Sequence, residues 1–595
     1  MRNPAPLTKY NSDELEKFSN TLSYFLIYGV LLISSLVTIL ISLSWVFSYE
    51  EIQNWHQAKT SDFRRFGEVS EATFTYSRYI FSRGISIVSG ILCLIAYTVS
   101  YRHHSFLRSY SESISKEIVI LSSQFFRIFL ELNKKEKWGL FLITLSIIGF
   151  QIRNYFYFPI YNDDLASYFY FAEKGILNTA LFYPYPNNHI FYNILSSVAS
   201  NFINDPLLST RLISFISFLL LLLIIFAFLY RTYSNRWIAY LAIGFCGFFF
   251  ASGIYGVQGR GYMLFTLFAV FSSFCTLLFT KRNGVGLPAL IIVSSVLGAY
   301  TIPAFLIPFI GTIAAFIVFS YQKRDIQYLK TAFVIVLFVG IGVFLLYLPT
   351  VLFSGLESIV DNKFVASDSR NNFYTHIYPI GSAEILSITA GTNTKGWLIF
   401  SLLAVSALPL IRKGEDRVWS WFVILICVFG AIFLYNLASR SFMPLRVITY
   451  ASIYVYISYA MILSFWIEHL KIKHIVYIVV IAITPLLGWW QYKNTVYLNY
   501  LFPNSLHVFL DKFYEDTSST RKTYFSNELV YLHWYFQYRC KQGECPWKLA
   551  EDMATSEVVF LTSNNETLTQ KGYLLMRVVR DIPYGPNYYI YERNP

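Results

Sequence analysis

The sequence predicts an α-helical polytopic membrane protein with a small mixed α/β domain at its carboxyl end. Of its 595 residues, 55% are hydrophobic and only 14% are charged, which is far from the balance of a water-soluble domain. Charge-free apolar stretches such as 212–230 and 331–353 match the roughly 20 residues that a helix needs to cross the hydrocarbon layer. The polar tail carries short apolar and aromatic runs, among them 558–561 and 588–591, that favour a small mixed domain.

Hydropathy along the chain predicts about thirteen transmembrane helices. The first apolar stretch is too long for a cleavable signal peptide and is interpreted as a retained span. The predicted spans lie near 21–47, 80–101, 138–157, 208–230, 236–252, 261–280, 286–299, 303–320, 331–353, 396–411, 418–438, 447–467 and 474–490.

Lysine and arginine clusters between the spans predict the orientation of the chain. Short cytoplasmic loops hold an excess of these residues, and the clusters at 134–137, 231–236, 281–282, 323–330, 412–417 and 471–473 all fall on one side. The protein is therefore expected in the inner membrane, with its amino end in the cytoplasm. The loops 158–207 and 354–395 and the tail from residue 491 are expected on the extracytoplasmic side.

The lysine and arginine clusters between the spans also explain the formal net charge of +12. The basic residues form short clusters between apolar segments rather than one continuous face, so membrane lipids and not nucleic acid are the expected partners.

The chain divides into four predicted parts. Residues 1–115 are expected to form a two-span hairpin, and 116–137 a cytoplasmic interfacial helix, because this segment alternates charge with apolar residues at helical spacing. Residues 138–490 are the transmembrane body, and 491–595 form the soluble extracytoplasmic domain.

Two of the six cysteines lie close together in the polar tail. An oxidising compartment favours a disulfide between Cys540 and Cys545, and a zinc site needs more ligands than this pair offers. The others lie inside apolar segments and are interpreted as small packing residues: Cys93, Cys246, Cys275 and Cys427.

Acidic and basic side chains come together on the predicted outer side. Asp163 and Asp164 directly follow a span, where adjacent acids cost desolvation and repulsion and so often have a function. The alternative interpretation is a solvated acidic helix end. Arg260, Arg440 and Arg446 lie at outer span ends, on the side where positive charge is scarce, although a single arginine there can also reach the headgroups.

These two kinds of side chain suit transfer of a sugar from a lipid phosphate. A carboxylate can remove the proton of an acceptor hydroxyl or amine. Arginine binds the departing phosphate through paired hydrogen bonds.

Short motifs follow one another along the body. They are Tyr161-Asn162-Asp163-Asp164, Pro186-Asn187-Asn188-His189, Gly259-Arg260-Gly261-Tyr262, Tyr300-Thr301-Ile302-Pro303 and Pro444-Leu445-Arg446. The order of these motifs and their shared outer placement over roughly 138–490 resemble the GT-C membrane glycosyltransferases, nearest to the protein O-mannosyltransferase and aminoarabinose-lipid A transferase group. The resemblance implies transfer of one sugar, with inversion, from a polyprenyl-phosphate donor to an extracytoplasmic protein, lipid or glycan.

The resemblance implies roles for individual residues. Asp163 is the leading candidate for the catalytic base, with Asp164 close behind, and Arg260 and Arg446 match phosphate contacts. No second acidic cluster indicates a divalent metal, so no cofactor is expected. The second outer loop, 354–395, matches no motif and is expected to cover the site. Further substrate-binding candidates are His189, Tyr262, Arg440 and, in that loop, His376.

Two other functional classes stay open at this point. A transporter or flippase would show ionisable residues deep within spans or broken helices in two repeated halves, whereas the charges here concentrate at span ends. An O-antigen-type ligase or polymerase also acts on lipid-linked saccharides in outer loops and is harder to separate.

Overall fold

The computed structural model consists mainly of long apolar helices, with a small sheet near the carboxyl end. It describes residues 29, 31–65, 74–157, 162–183, 188–282, 284–360, 369–392, 394–412, 416–494, 522–526, 530–541, 548–550, 553–579 and 588–593.

Within these ranges, eight helices are long and apolar enough to cross a membrane, and the bent pair Leu31–Val46 and Tyr49–Trp55 makes a ninth if it counts as one span. The chain is therefore a multi-pass helical membrane protein, as predicted. The eight are Tyr76–Arg102, Lys134–Phe156, Pro206–Thr232, Tyr262–Phe279, Pro303–Lys323, Gln327–Ser354, Asp416–Ser439 and Tyr450–His469.

The other predicted spans contain shorter apolar helices. The span near 236–252 is interrupted at Phe249, whose extended backbone ends helix Trp237–Phe248 before Phe250–Tyr255 begins. The remaining three are Gly286–Thr301, Gly396–Arg412 and Ile475–Asn494.

The predicted outer loops are largely helical. In the first loop the structure has helix Asn162–Ala166, a buried π-helix Ser167–Ala172, and helices Ile176–Leu181 and Ile190–Ser200. In the second it has Glu357–Val360, Arg370–Asn372, a π-helix Phe373–Ile377 and Tyr378–Ala390, and a further short helix, Leu445–Ile448, precedes Tyr450–His469.

Helix Pro206–Thr232 shows how the local sequence sets helix ends. The Asp205 carboxylate caps it by accepting the N–H of Leu208 at 2.7 Å, and proline stands at its first position, where its missing N–H costs nothing. This start places Arg211 in the second turn of the helix, ahead of its long apolar stretch.

The described part of the amino-terminal hairpin packs on the body. Leu31–Val46 and Tyr49–Trp55 meet at a bend of 114°, and the second helix continues to Arg65. The Phe74 ring stacks on Phe353 with centroids 4.8 Å apart, so the hairpin contacts the end of helix Gln327–Ser354.

The predicted interfacial segment 116–137 falls in two helices. His104–Glu131 begins earlier than predicted and packs against Pro206–Thr232 and Gly286–Thr301. Helix Lys134–Tyr157 then starts at a reciprocal cap, in which Asn133 Oδ1 accepts the N–H of Glu136 at 3.0 Å and Glu136 Oε2 accepts that of Asn133 at 2.8 Å.

In the described residues, the carboxyl-terminal domain holds a five-stranded mixed sheet. The strands are β1 Lys522–Phe525, β2 Lys548–Leu549, β3 Val558–Leu561, β4 Tyr573–Val579 and β5 Tyr588–Arg593. Strand β1 pairs in parallel with β2 and β3, while β5 lies antiparallel between β3 and β4. Helix Val530–Lys541 and the short helix Glu566–Gln570 accompany the sheet.

This domain packs on the first of the two predicted outer loops. Trp534 meets Tyr170 edge-on with ring centroids 4.6 Å apart, and Lys541 forms an ion pair with Glu173. The loop and the domain therefore lie on the same side of the membrane. Cys540 is disulfide-bonded, whereas Cys545 lies outside the described residues, so the predicted pairing stays a prediction.

Candidate active site

The neighbouring aspartates at the start of helix Asn162–Ala166 have different environments. Asp164 is fully buried, and its Oδ2 accepts hydrogen bonds from Arg211 Nε at 3.2 Å and Nη2 at 3.1 Å. Arg211 also donates through Nη1 to the Tyr155 carbonyl at 3.1 Å. The Asp164–Arg211 pair therefore ties the first loop to two transmembrane helices.

Burial raises the pKa of the Asp164 carboxyl above its usual range, and the Arg211 guanidinium opposes that shift. The backbone N–H of Gly259 also bonds this carboxylate. Because both side chains of the pair are shut off from water, breaking it would leave an uncompensated buried charge.

Asp163 lies between two arginines from distant parts of the chain. Its Oδ2 is 3.7 Å from Arg260 Nη2 and 3.7 Å from Arg446 Nη1. These separations are longer than the 2.7–2.9 Å that is typical of charge-assisted hydrogen bonds, so these two contacts are described as ion pairs. We call Asp163, Arg260 and Arg446 the ion cluster.

The side chains of the ion cluster differ in their exposure. Arg260 is almost fully buried, whereas the side chains of Asp163 and Arg446 are 16% and 27% exposed. A ligand would therefore meet Asp163 and Arg446 first.

A turn anchored on helix Pro206–Thr232 positions Arg260. The Arg260 N–H donates to the Gln258 carbonyl at 2.7 Å, and Ser214 Oγ donates to the carbonyls of Gln258 at 2.6 Å and Arg260 at 3.0 Å. Helix Tyr262–Phe279 begins immediately afterwards. The side chain of Arg260 is thus fixed at a helix start, and Nη1 also donates to the Asp163 carbonyl at 3.4 Å.

Close packing explains the glycines on both sides of Arg260. A Cβ at Gly259 would lie 2.8 Å from Thr210 Oγ1 and 3.3 Å from Asp164 Cγ, and a Cβ at Gly261 would lie 2.9 Å from His189 Nδ1. Real Cβ atoms do not approach this closely without displacing a neighbour. The Gly-Arg-Gly run therefore allows the turn to contact both the aspartate loop and the histidine.

His189 carries a hydrogen-bond donor beside Arg260. Its buried Nδ1 accepts the N–H of Gly261 at 2.9 Å, which assigns the proton of the neutral ring to Nε2. Burial lowers the pKa of His189 well below its usual value, and the charges of Arg260 and Arg446 lower it further, so the ring is neutral. Nε2 is 3.3 Å from Arg260 Nη2, and two adjacent donors of this kind suit an anionic oxygen.

Asparagines hold His189 in place. Asn188 Nδ2 donates to the carbonyls of Thr179 and Phe182, both at 2.9 Å, and Asn193 Nδ2 donates to Asn188 Oδ1 at 2.9 Å. The motif residues Tyr161, Pro186 and Asn187 lie outside the described residues.

Tyr262 supports the arginine and the histidine. Its buried ring meets the His189 ring edge-on at 5.0 Å between centroids, and the Arg260 guanidinium lies 5.7 Å from its centroid. An aromatic face attracts a guanidinium at this range, so Tyr262 positions both side chains.

Arg440 and His376, also expected at the site, are placed differently. Arg440 is exposed, with φ of 51°, just after helix Asp416–Ser439, and His376 is exposed on π-helix Phe373–Ile377. Within the described ranges, no ion pair or hydrogen bond joins either side chain to the ion cluster. Phe373 of the second loop does pack near Phe442 at 6.0 Å between centroids, so this loop lies over the segment that leads to Arg446.

Arg211 is the site residue that the sequence reasoning did not single out. It stands inside a predicted span that otherwise carries no charge, on the predicted outer side. An isolated ionisable residue in a span is by default a functional candidate, and that signal could have found it.

Among the residues that the structure describes, no group of three or more His, Cys, Asp and Glu side chains is placed to hold a metal ion. Comparisons with protein-family models, with curated proteins and with solved structures find no match for this chain.

Proposed function

We propose that this chain is a GT-C-like glycosyltransferase that moves a sugar from a polyprenyl-phosphate lipid to an extracytoplasmic protein, lipid or glycan. The observation that carries the proposal is the ion cluster, in which Asp163 Oδ2 lies 3.7 Å from both Arg260 and Arg446 at the ends of apolar helices. It combines a carboxylate with cations that suit a phosphate.

The donor phosphate would bind at the two arginines. Guanidinium groups form paired hydrogen bonds with phosphate oxygens, and His189 Nε2–H adds a neutral donor beside Arg260. Because the arginines stand at helix ends, the polyprenyl chain can stay in the hydrocarbon layer while its phosphate reaches the cluster. The phosphate takes over the guanidinium groups and frees the Asp163 carboxylate.

Asp163 then acts as the base. The acceptor oxygen or nitrogen attacks the anomeric carbon and gives its proton to the Asp163 carboxylate. The bond between that carbon and the phosphate oxygen breaks, and polyprenyl phosphate leaves with the electron pair while Arg260 and Arg446 stabilise its charge. A single displacement of this kind inverts the anomeric centre.

Asp164 has a positioning role in this scheme. It is fully buried and bonded to Arg211, so it holds helix Asn162–Ala166 in place instead of meeting the acceptor. Tyr262 and the Gly-Arg-Gly turn hold Arg260 in place in the same way.

The proposal includes the topology. About thirteen spans would put the amino end in the cytoplasm and the ion cluster outside an inner membrane. The carboxyl-terminal domain, packed on the first loop through Trp534 and Tyr170, would share that outer side. The basic clusters at the opposite span ends support this orientation.

The test uses purified protein in liposomes with labelled polyprenyl-phosphate sugars and membrane extract as acceptor. Asp163→Asn should lower transfer by about 10²- to 10⁴-fold, the usual contribution of a general base, while donor binding stays equal or tightens because the carboxylate no longer competes for the arginines. Arg446→Gln should weaken donor binding. Arg412→Gln, an exposed arginine outside the cluster, is the matched control.

Undiminished transfer by Asp163→Asn would refute the assignment of the base. Turnover of polyprenyl-diphosphate oligosaccharides alone would indicate a ligase or polymerase. Movement of labelled lipid across the bilayer without transfer would indicate a flippase.

A further inference from the structure

A cavity of about 410 Å³ lies beside helix His104–Glu131, far from the ion cluster. Helices Pro206–Thr232, Tyr262–Phe279 and Gly286–Thr301 form its other walls. Its size is in the range of ligand sites. The walls are apolar over most of their area and include Phe125, Ile128, Phe228, Phe271, Leu278 and Leu290.

One end of the cavity is basic. Arg231, Lys281, Arg282 and Arg417 line it, and the first three are exposed. Arg231 lies in the last turn of its helix, and Lys281 and Arg282 directly follow Tyr262–Phe279, so these cations gather where the helices end.

Two of these cations hydrogen-bond to helix His104–Glu131. Arg282 Nη1 donates to Gln124 Oε1 at 3.3 Å, and Arg231 Nη1 to the Gln124 carbonyl at 3.5 Å. Two acids of the same helix have other bonds: Glu131 pairs with Arg127 at 2.8 Å, and Glu117 accepts the N–H of Gly286 at 2.6 Å. The charge of Glu131 also acts on Arg231, but the four cations that line this end of the cavity outnumber these two acids.

We propose that this cavity binds an anionic phospholipid. Its phosphate headgroup would lie at Arg231, Lys281 and Arg282, and an acyl chain would run along the apolar wall. A basic pocket between transmembrane helices is suited to an acidic headgroup, and the apolar wall stabilises a hydrocarbon chain by removing it from water. A soluble phosphate ester would leave that wall uncovered, and a neutral lipid would bring no negative charge to the cations.

The lipid belongs to the leaflet opposite the ion cluster. Arg211 stands near the start of helix Pro206–Thr232 and Arg231 near its end, and twenty residues of helix rise about 30 Å. Likewise Arg260 precedes helix Tyr262–Phe279 and Lys281 follows it. The site is therefore separate from the proposed catalytic one, and its test does not depend on glycosyl transfer.

The experiment is native mass spectrometry of the full chain in detergent with added phosphatidylglycerol, phosphatidylcholine or glycerol 3-phosphate. The triple variant Arg231→Gln, Lys281→Gln, Arg282→Gln should retain phosphatidylglycerol at least about tenfold less than the wild type. The control Lys330→Gln, Arg412→Gln, Lys473→Gln removes the same charge from exposed positions that do not line the cavity, and it should bind as the wild type does.

A second variant, Leu278→Trp, fills the apolar wall and leaves the cations in place. It should also lose phosphatidylglycerol, with gel filtration and a melting curve to show that it is folded. Equal retention of phosphatidylglycerol by the triple variant and its control would overturn the proposal, as would equal retention of phosphatidylcholine. Displacement of the lipid by equimolar glycerol 3-phosphate would identify a phosphate site without a lipid function.

Discussion

Asp163 and Asp164 are adjacent in the sequence, yet Asp163 is partly exposed to solvent and Asp164 is not. Asp164 faces inward to Arg211, and Asp163 lies on the accessible side between Arg260 and Arg446. Adjacent positions at a helix start point in different directions, so one acid can hold the loop while the other meets a ligand.

Replacing Asp164 by asparagine should destabilise the protein by about 3–5 kcal/mol, because Arg211 would stay buried without its counter-charge. The melting temperature of the purified protein measures this effect. The double variant Asp164→Asn, Arg211→Gln should recover part of the loss, since no lone charge is then buried. Equal melting temperatures for the wild type and Asp164→Asn would contradict the positioning role.

At this scale the sequence predicted which residue types meet but not all of their positions. Shared placement of acids and arginines at outer span ends pointed to Asp163, Arg260 and Arg446, and the structure brings these three together. The same argument included Arg440, which is exposed in the turn after helix Asp416–Ser439 and, in the part of the chain that the structure describes, has no ion pair or hydrogen bond with the cluster. The pairing of Arg211 with Asp164 depends on packing between distant segments, which a local pattern does not record.

At the scale of elements, helices and turns determine where the side chains of the site lie. The turn that carries Arg260 has contacts on both sides, with the aspartate loop through Gly259 and with His189 through Gly261. Each contact needs a residue without a side chain.

Gly261→Ala should displace His189, because the new Cβ would lie 2.9 Å from its Nδ1 and 2.9 Å from Thr301 Cγ2. We expect a stability loss of about 1–3 kcal/mol and, under the proposed function, a fall in transfer of roughly a hundredfold from misplacement of the donor site. Thermal unfolding and the transfer assay measure the two effects.

Gly430→Ala is the control for this substitution. Gly430 lies within helix Asp416–Ser439, and a Cβ there meets nothing within 4 Å. This change should stabilise the helix by about 0.5–1 kcal/mol. A Gly261→Ala protein as stable and active as Gly430→Ala would show that the close approach at the turn has no importance.

The helices of the spans could be predicted because hydropathy alone indicates them. The structure of the first loop could not, because it depends on tertiary contacts. Every predicted span contains a helix in the structure, because backbone groups in lipid must bond internally. The first loop was expected as a hydrophilic connection, whereas Ser167–Ala172 is a fully buried π-helix. It packs against helix Ile190–Ser200 and shares an apolar cluster with the carboxyl-terminal domain, contacts that no local window includes.

At the scale of the whole molecule, an orientation with the basic clusters in the cytoplasm would place both the ion cluster and the carboxyl-terminal domain outside. The helix Gln327–Ser354 offers a direct test, because Lys330 near its start and Arg370 beyond its end are both exposed.

In a background without the free cysteines, Arg370→Cys should react with an impermeant thiol reagent on intact cells, because residue 370 is predicted outside. Lys330→Cys should react only after lysis. Mass-tag shifts on a gel measure both. The reverse pattern would invert the topology and remove the extracytoplasmic acceptor from the proposed function.

The docking of helix Val530–Lys541 on the first loop also bears on biosynthesis. Ribosomes make the chain from its amino end, so Tyr170 enters the membrane region long before Trp534 is synthesised. Until then, the apolar surface of the first loop is not covered by helix Val530–Lys541. Completion of the candidate site is thereby tied to synthesis of helix Val530–Lys541, and a polypeptide that stopped before Trp534 would keep an exposed apolar surface that quality-control proteases can recognise.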